Sequence, residues 1–325
     1  MGFATRYLTK RVPPLLRYFA GTTALFLIID EVWTVFRERS EEGMRGFISL
    51  PLRFLKYFVC TLIVFALFGR NAFVALSLFA WFRRVDNVVD GDTPLPERWN
   101  VHQYRFQKNI LLSAIARGAS GDLLVEDILL VKGVETARYQ GVTVLDEIAD
   151  IWDVMEWGCT RQETGHLASR SELLFQTAKQ DRAVLRVMVK ACRGNIERFD
   201  EIAGGFTGSF TRADWLDDML EDIQQGIINV PREAISEYHV DIAQVLLCRN
   251  WDELMQYSPF ASWYRDEVRQ SRDEWREMCA RLGEDFAGIF SSKIVSTGFM
   301  RITIGKVEPQ FERAAARMTE LSNSS

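Results

Sequence analysis

Two stretches of the sequence set carboxylates one helical turn apart. The first reads Trp81-Phe82-Arg83-Arg84-Val85-Asp86-Asn87-Val88-Val89-Asp90-Gly91-Asp92. On a helix Asp86 and Asp90 project from one face, roughly 6 Å apart along the axis, and Arg83 shares that face. The run before them is apolar, so the pair would close a largely buried helix at its C-terminal end. The helix dipole there disfavours negative charge by about 0.3–1 kcal/mol, and a cation should compensate. The plain alternative pairs Arg83 and Arg84 with the two aspartates, above a surface turn at residues 91–94.

The second stretch reads Thr211-Arg212-Ala213-Asp214-Trp215-Leu216-Asp217-Asp218-Met219-Leu220-Glu221-Asp222-Ile223-Gln224-Gln225-Gly226. At helical periodicity Asp214, Asp218 and Asp222 form a stripe beside an apolar face of Trp215, Leu216, Met219, Leu220 and Ile223. Thr211 is placed to cap this helix, Asp214 to serve as the capping-box acid and Gly226 to stop it. An acidic outer face is the plain reading. Against it, five acids occur here with no lysine or arginine from residue 213 to 231. Like charges one turn apart cost a few tenths of a kcal/mol per pair. The local sequence leaves the stripe uncompensated, and bound cations would compensate it.

Carboxylates from two helices in an apolar chain make an all-oxygen site suited to several Mg2+ ions. Magnesium keeps few carboxylates and completes its shell with water and substrate phosphates, so the matching ligand is a diphosphate. Apolar surroundings would make its tail a hydrocarbon, which describes a prenyl diphosphate. Zinc fits poorly, because the five cysteines are scattered without a C-x-x-C pair and there are three histidines. The scattered cysteines suit a reducing, cytoplasmic compartment.

The elements that must position these residues read as helices. With 325 residues, 48% of them hydrophobic, and only 21 glycines and 8 prolines, the chain can bury a sizeable core, which excludes disorder, fibres and solenoids. Proline is absent from residue 97 to 230, and apolar residues recur at helical spacing, as in Ile110, Leu111, Ile115 and Leu123, Leu124, Ile128, Leu129. The spacing predicts a nearly all-α chain, in one domain preceded by an extra, helical segment over residues 1–50. The net charge of −5 argues against nucleic-acid binding through bulk positive charge. Seven of the 44 acids are Asp86, Asp90, Asp214, Asp217, Asp218, Glu221 and Asp222; without them the chain would be slightly basic.

Two segments bear on membranes. Basic residues from Arg6 to Arg17 precede an apolar run from Leu25 to Ile29, but Asp30 and Glu31 stand where small residues should mark a signal-peptide cleavage site. Tyr57 to Phe82 is almost wholly apolar, yet Gly69, Arg70 and Asn71 divide it into pieces short of the roughly 20 residues that a spanning helix needs. Two buried helices joined by a tight turn is one reading. The other is a monotopic protein that makes peripheral membrane contact to collect a greasy substrate.

Both acidic stretches resemble motifs of the squalene/phytoene synthase family of class I isoprenoid synthases. Residues 83–91 are similar to the family's first aspartate motif, R-R-x-D-x-x-x-D-G. Residues 218–233 resemble the second, R-D-x-x-E-D-x-x-x-G-x-x-x-x-P-x-E, with Asp217 in place of its leading arginine. The resemblance covers roughly residues 55–310. It implies an all-α, single-domain isoprenoid synthase bundle with a central cavity over residues 51–325, two or three Mg2+ ions, and no NADPH in a phytoene-type member. It makes Asp86, Asp90, Asp218 and Asp222 the catalytic Mg2+ ligands, with Asp214 joining the metal set. Arg83 would contact a substrate diphosphate. Lys56 and Tyr57 would do the same from the place of the family's Ser-Lys-Ser-Phe segment.

The implied reaction is metal-assisted departure of diphosphate, followed by head-to-head attack of a second prenyl diphosphate on the allylic cation. The chain departs from the family where the second substrate or the cation should sit. Asp214 replaces an asparagine, Thr211 a glutamine, Ile227 a basic residue and Phe299 a tyrosine, and Glu172 to Asp181 stands for the small-residue helix. These departures keep two other readings open: a terpene cyclase that folds one prenyl cation, and a non-catalytic relative whose acids bind cations or a partner.

Overall fold

The computed structural model describes residues 101–117, 125–203, 208–285, 288–290 and 307–318, with single positions at 74, 77, 78, 81, 82 and 305. The expectations for residues 1–50 and for Lys56, Tyr57, Arg83, Asp86 and Asp90 lie outside the described residues. Among those described, every regular element is a helix and no strand occurs, as the periodicity predicts. No helix among them is long and apolar enough to cross a membrane.

Residue contacts divide the chain into two compact units, Met1–Pro94 with Phe106–Thr143 and Leu95–Arg105 with Val144–Ser325. In the first, helix α1 (Val101–Arg117) contributes its later turns and α2 (Val125–Tyr139) follows. Arg138 at the end of α2 donates from Nη1 to the carbonyl of Ile115 at 3.2 Å, tying the two helices. Gly133 is required by space, because a Cβ there would lie 2.1 Å from Ser77 Oγ.

The second unit carries the acidic stretch. Its scaffold is the antiparallel pair α3 (Leu145–Thr164) and α4 (Arg170–Ala191). Buried Glu147, in the first turn of α3, accepts from Arg186 and Lys190 in the last turns of α4, while Asp153 pairs with Lys179. The short link between them is specified locally. Gly165 takes a left-handed φ of 64° to end α3, and Ser169 opens α4 with a capping box closed by Glu172. The link is also held from outside. Arg232 N–H donates to the carbonyl of Ala168, and Glu233 accepts the N–H of Arg170, so the end of the second acidic motif anchors the start of α4.

Beyond α5 (Ile196–Ala203) come α6 (Ser209–Asp217) and α7 (Met219–Gln224), which carry the acidic stripe. Short helices α8 (Arg232–Glu237), α9 (Ile242–Leu247) and α10 (Trp251–Gln256) lead to the long α11 (Ser258–Asp285), and α12 spans residues 307–318. Phe260, Trp263 and Tyr264 of α11 pack mutually at ring-centroid distances of 5.4–6.4 Å inside the same buried cluster as the apolar face of α6 and α7. An ion-pair chain accompanies this packing: Arg170 and buried Arg212 both grip buried Glu267, and Arg212 also reaches Glu274. Charges with partners on both sides are the form in which burial is tolerated.

The start of α6 differs from the sequence expectation. Thr211 does not cap the helix; it is the third helical residue, and Gly208 stands at the N-cap with φ 101°. The cap is supplied by Asp181 of α4. Its carboxylate accepts the N–H groups of Gly208, Phe210 and Thr211 at 2.9–3.1 Å and the Thr211 hydroxyl at 2.6 Å. A full carboxylate from a neighbouring helix satisfies more orphan donors than the local hydroxyl would, and it carries the charge that a helix N-terminus favours. Burial pushes the Asp181 carboxyl up to about 6 against these donors. Glycine suits position 208 because its φ of 101° is one that residues with side chains rarely adopt.

Asp181→Ala removes the cap and strands several amides, and is expected to cost about 2 kcal/mol or more in urea denaturation. A change below about 0.5 kcal/mol would show that α6 does not depend on it.

Candidate functional site

The stripe lies on one interrupted helix. Asp218 N–H donates to the carbonyl of Asp214 at 2.8 Å and Asp222 N–H to that of Asp218 at 2.9 Å, so the three aspartates occupy successive turns. Between α6 and α7 the backbone bends at Asp218, whose φ of −96° and ψ of 14° fall in the sparsely populated bridge region. The carbonyls at the end of α6 are taken by side chains. Tyr264 Oη donates to the carbonyl of Leu216 at 2.7 Å, and Arg317 donates to that of Asp217. Side chains entering the ladder in this way bend helices. Trp215, Leu216, Met219, Leu220 and Ile223 are all buried, so the predicted apolar face is fixed in the core and the acids beside it cannot turn away.

Gly226 stops α7 as the sequence predicts. It adopts φ 82°, its N–H donates to the carbonyl of Ile223 at 3.0 Å, and Ile227 N–H donates to that of Asp222 at 2.8 Å. These two bonds make a Schellman motif. Asp214 is not a capping acid, because it lies mid-helix and accepts from Gln310 of α12.

The expectation that the acids lack compensation is corrected in part. Buried Asp217 is bracketed by Arg313 and Arg317 of α12: Arg313 Nε donates to its Oδ2 at 2.9 Å, and Arg317 Nη1 lies 3.1 Å from Oδ1. Asp222 accepts from Asn229 Nδ2 at 2.7 Å. The two arginines come from a distant part of the sequence, which a local window cannot reveal, whereas Asn229 lies within the motif itself.

The side-chain carboxylates of Asp218 and Glu221 have no hydrogen-bonding or ion-pair partner among the described residues, and both residues are exposed. Although solvent reaches Asp218, the surrounding protein, followed by the charges of Asp214, Asp217 and Glu221, pushes its carboxyl up to about 6; Arg317 opposes the shift. A carboxylate with this surplus of negative neighbours is suited to a divalent cation, and every donor in the row is a hard oxygen.

No three His, Cys, Asp or Glu side chains among the described residues form a metal-holding group by themselves. Magnesium does not demand one, since one or two carboxylates with water and phosphate suffice. Asp218 and Asp222 fit that part, with Asp214 a turn away. A cavity of about 20 Å³ beside the stripe's end, lined by Arg161, Gln162, His166 and Gly226 among others, has room for one water and none for a diphosphate.

Four contributors escaped the sequence reading. Arg313 and Arg317 stand one turn apart, separated by three alanines, a spacing that marks a two-guanidinium clamp once an acidic partner is sought. Asn229 lies within the second motif at a position that the motif leaves open. Arg161 closes α3; it is buried, stacks over the Trp157 ring at 4.5 Å and carries no local signal. Burial lowers its guanidinium to about 10, opposed by the charges of Asp222 and Glu172.

A solved structure of a dehydrosqualene synthase in complex with ligand is similar to this chain in fold, with a TM-score of 0.51 and 15% sequence identity, over 81% of this chain and 90% of that one. The chain shares its fold. No family model and no curated protein matches the sequence. The likeness is one of helical fold.

In the metal-free protein, 13C NMR of side-chain carboxyls is expected to show Asp218 titrating near pH 6. Glu221→Gln removes one repelling charge and should bring that midpoint down. A wild-type midpoint near the ordinary aspartate value of about 3.9 would refute the crowding.

Proposed function

We propose that this chain is a Mg2+-dependent prenyltransferase of the squalene/phytoene synthase type, which ionises an allylic prenyl diphosphate and couples it head to head with a second. The observation that carries this reading is the row Asp214, Asp218 and Asp222. It is locked by a buried face and crowded with negative charge, on a fold shared with a dehydrosqualene synthase.

Asp218 and Asp222 would hold the metal, with Asp214 beside them, and Asp86 and Asp90 are the further proposed ligands. Magnesium held by these carboxylates would supply positive charge to a departing diphosphate. The protein's own part is preorganisation. Because the apolar face of α6 and α7 is buried, the carboxylates are positioned before substrate arrives, and little reorganisation is left for the reaction. Arg83, Lys56 and Tyr57 are the proposed diphosphate contacts. A prenyl diphosphate is the substrate, taken up in the cytoplasm with peripheral membrane contact as its source, and no reductant is required for coupling that stops before reduction.

One observation favours a terpene cyclase as the second reading. Thr211 stands where the resemblance puts a second-substrate glutamine, and its hydroxyl is committed to Asp181 at 2.6 Å. Asp214 stands where it puts an asparagine, and is engaged by Gln310.

Incubation with Mg2+ and radiolabelled farnesyl or geranylgeranyl diphosphate, singly and paired, separates the two. A hydrocarbon of doubled carbon number supports coupling and a product with one donor's carbon number supports cyclisation; absence of diphosphate release would sink both. Asp218→Asn is expected to lower turnover a hundredfold or more, equivalent to about 3 kcal/mol of transition-state stabilisation, with an unchanged circular-dichroism spectrum. Wild-type turnover in that variant would overturn the metal assignment.

A further inference from the structure

The Schellman turn at the end of α7 has a second effect. By reversing the chain at Gly226, it returns residues 227–229 alongside the helix that they have just left. Asn229, seven residues after Asp222, thereby faces the Asp222 carboxylate and is itself buried. The turn is gripped from α3: Gln162 Nε2 donates to the carbonyl of Gln225 at 3.1 Å, and Arg161 Nη2 donates to that of Ile228. The other terminal nitrogen, Arg161 Nη1, donates to Asn229 Oδ1 at 3.2 Å, and Asn229 Nδ2 donates to Asp222 Oδ2 at 2.7 Å.

This chain has a single direction. A guanidinium only donates and a carboxylate only accepts, so an amide placed between them satisfies both in one orientation alone, oxygen toward Arg161 and nitrogen toward Asp222. Arg161 cannot easily leave its post, because it is buried, stacked on Trp157 and bonded at two points on the returning turn.

We infer that Asn229, held by Arg161, is a positioning residue that fixes the Asp222 carboxylate in the orientation in which it receives a divalent cation. The inference rests on the metal reading given above and adds to it a dedicated orienting shell. Asn229 occupies one oxygen of Asp222 with an amide donor that is itself anchored, and so restrains the carboxylate from rotating.

The test uses Mn2+ as the probe, with affinity measured by electron paramagnetic resonance on the full chain without substrate. Asn229→Ala leaves Arg161 bonded to the Ile228 carbonyl, and it is expected to weaken Mn2+ binding about tenfold or more, the usual effect of deleting an outer partner of a metal ligand. Melting temperature, measured in parallel, reads any merely structural effect. Mn2+ affinity unchanged in Asn229→Ala, with wild type binding and Asp222→Asn impaired, overturns the positioning role and leaves the metal reading standing. Failure of wild type to bind Mn2+, or undiminished affinity in Asp222→Asn, overturns the metal reading and this inference with it. Should Asn229→Ala not fold, the wild-type Asn229 side-chain amide resonance decides the matter: it is expected to shift on saturation with Mg2+, and a resonance that stays in place overturns the relay.

Discussion

Crowding of like charge on a helix that cannot rotate is the constraint around which the second unit is arranged. The apolar side of α6 and α7 is locked in the core, so the aspartates beside it must point where they point. Each pair of like charges one turn apart costs only tenths of a kcal/mol, but five acids within nine residues accumulate several such terms in a medium poorer than water at screening them. The neighbouring elements each answer part of this. Asp181 holds the helix at its start, Arg313 and Arg317 absorb Asp217, Gln310 meets Asp214, and Asn229 meets Asp222. Asp218 is left at the bend with the repulsion opposed only at a distance, by the charge of Arg317.

The sequence made the helical class, the buried face of the stripe and its stop at Gly226 legible, because each depends on spacing within a few residues. It misplaced the cap, since Thr211 and Asp214 form a local pattern that a carboxylate on another helix outcompetes. It also overstated the isolation of the acids. A window from 213 to 231 contains no lysine or arginine, yet the guanidinium groups that serve Asp217 lie nearly a hundred residues on. Long-range pairing of this kind leaves no periodic trace, and only the fold displays it.

Asp217 shows how positive charge is delivered to the acidic row. The row's own helices carry no basic residue from 213 to 224, and two arginines reach Asp217 from α12 instead. Packing is governed here by the apolar face and charge balance by a neighbouring element.

The clamp of Arg313 and Arg317 on Asp217 also imposes an order of events in time. The two sides are separated by 96 residues, so on the ribosome the acidic helix emerges well before its counter-charges exist. At about 5–20 residues per second that interval is on the order of ten seconds. Throughout it, Asp217 must stay in water, and the bend at Asp218 lacks the guanidinium that occupies its carbonyl neighbour. The acidic row thus reaches its final geometry only once α12 has been made, and that helix acts as a late step in its assembly.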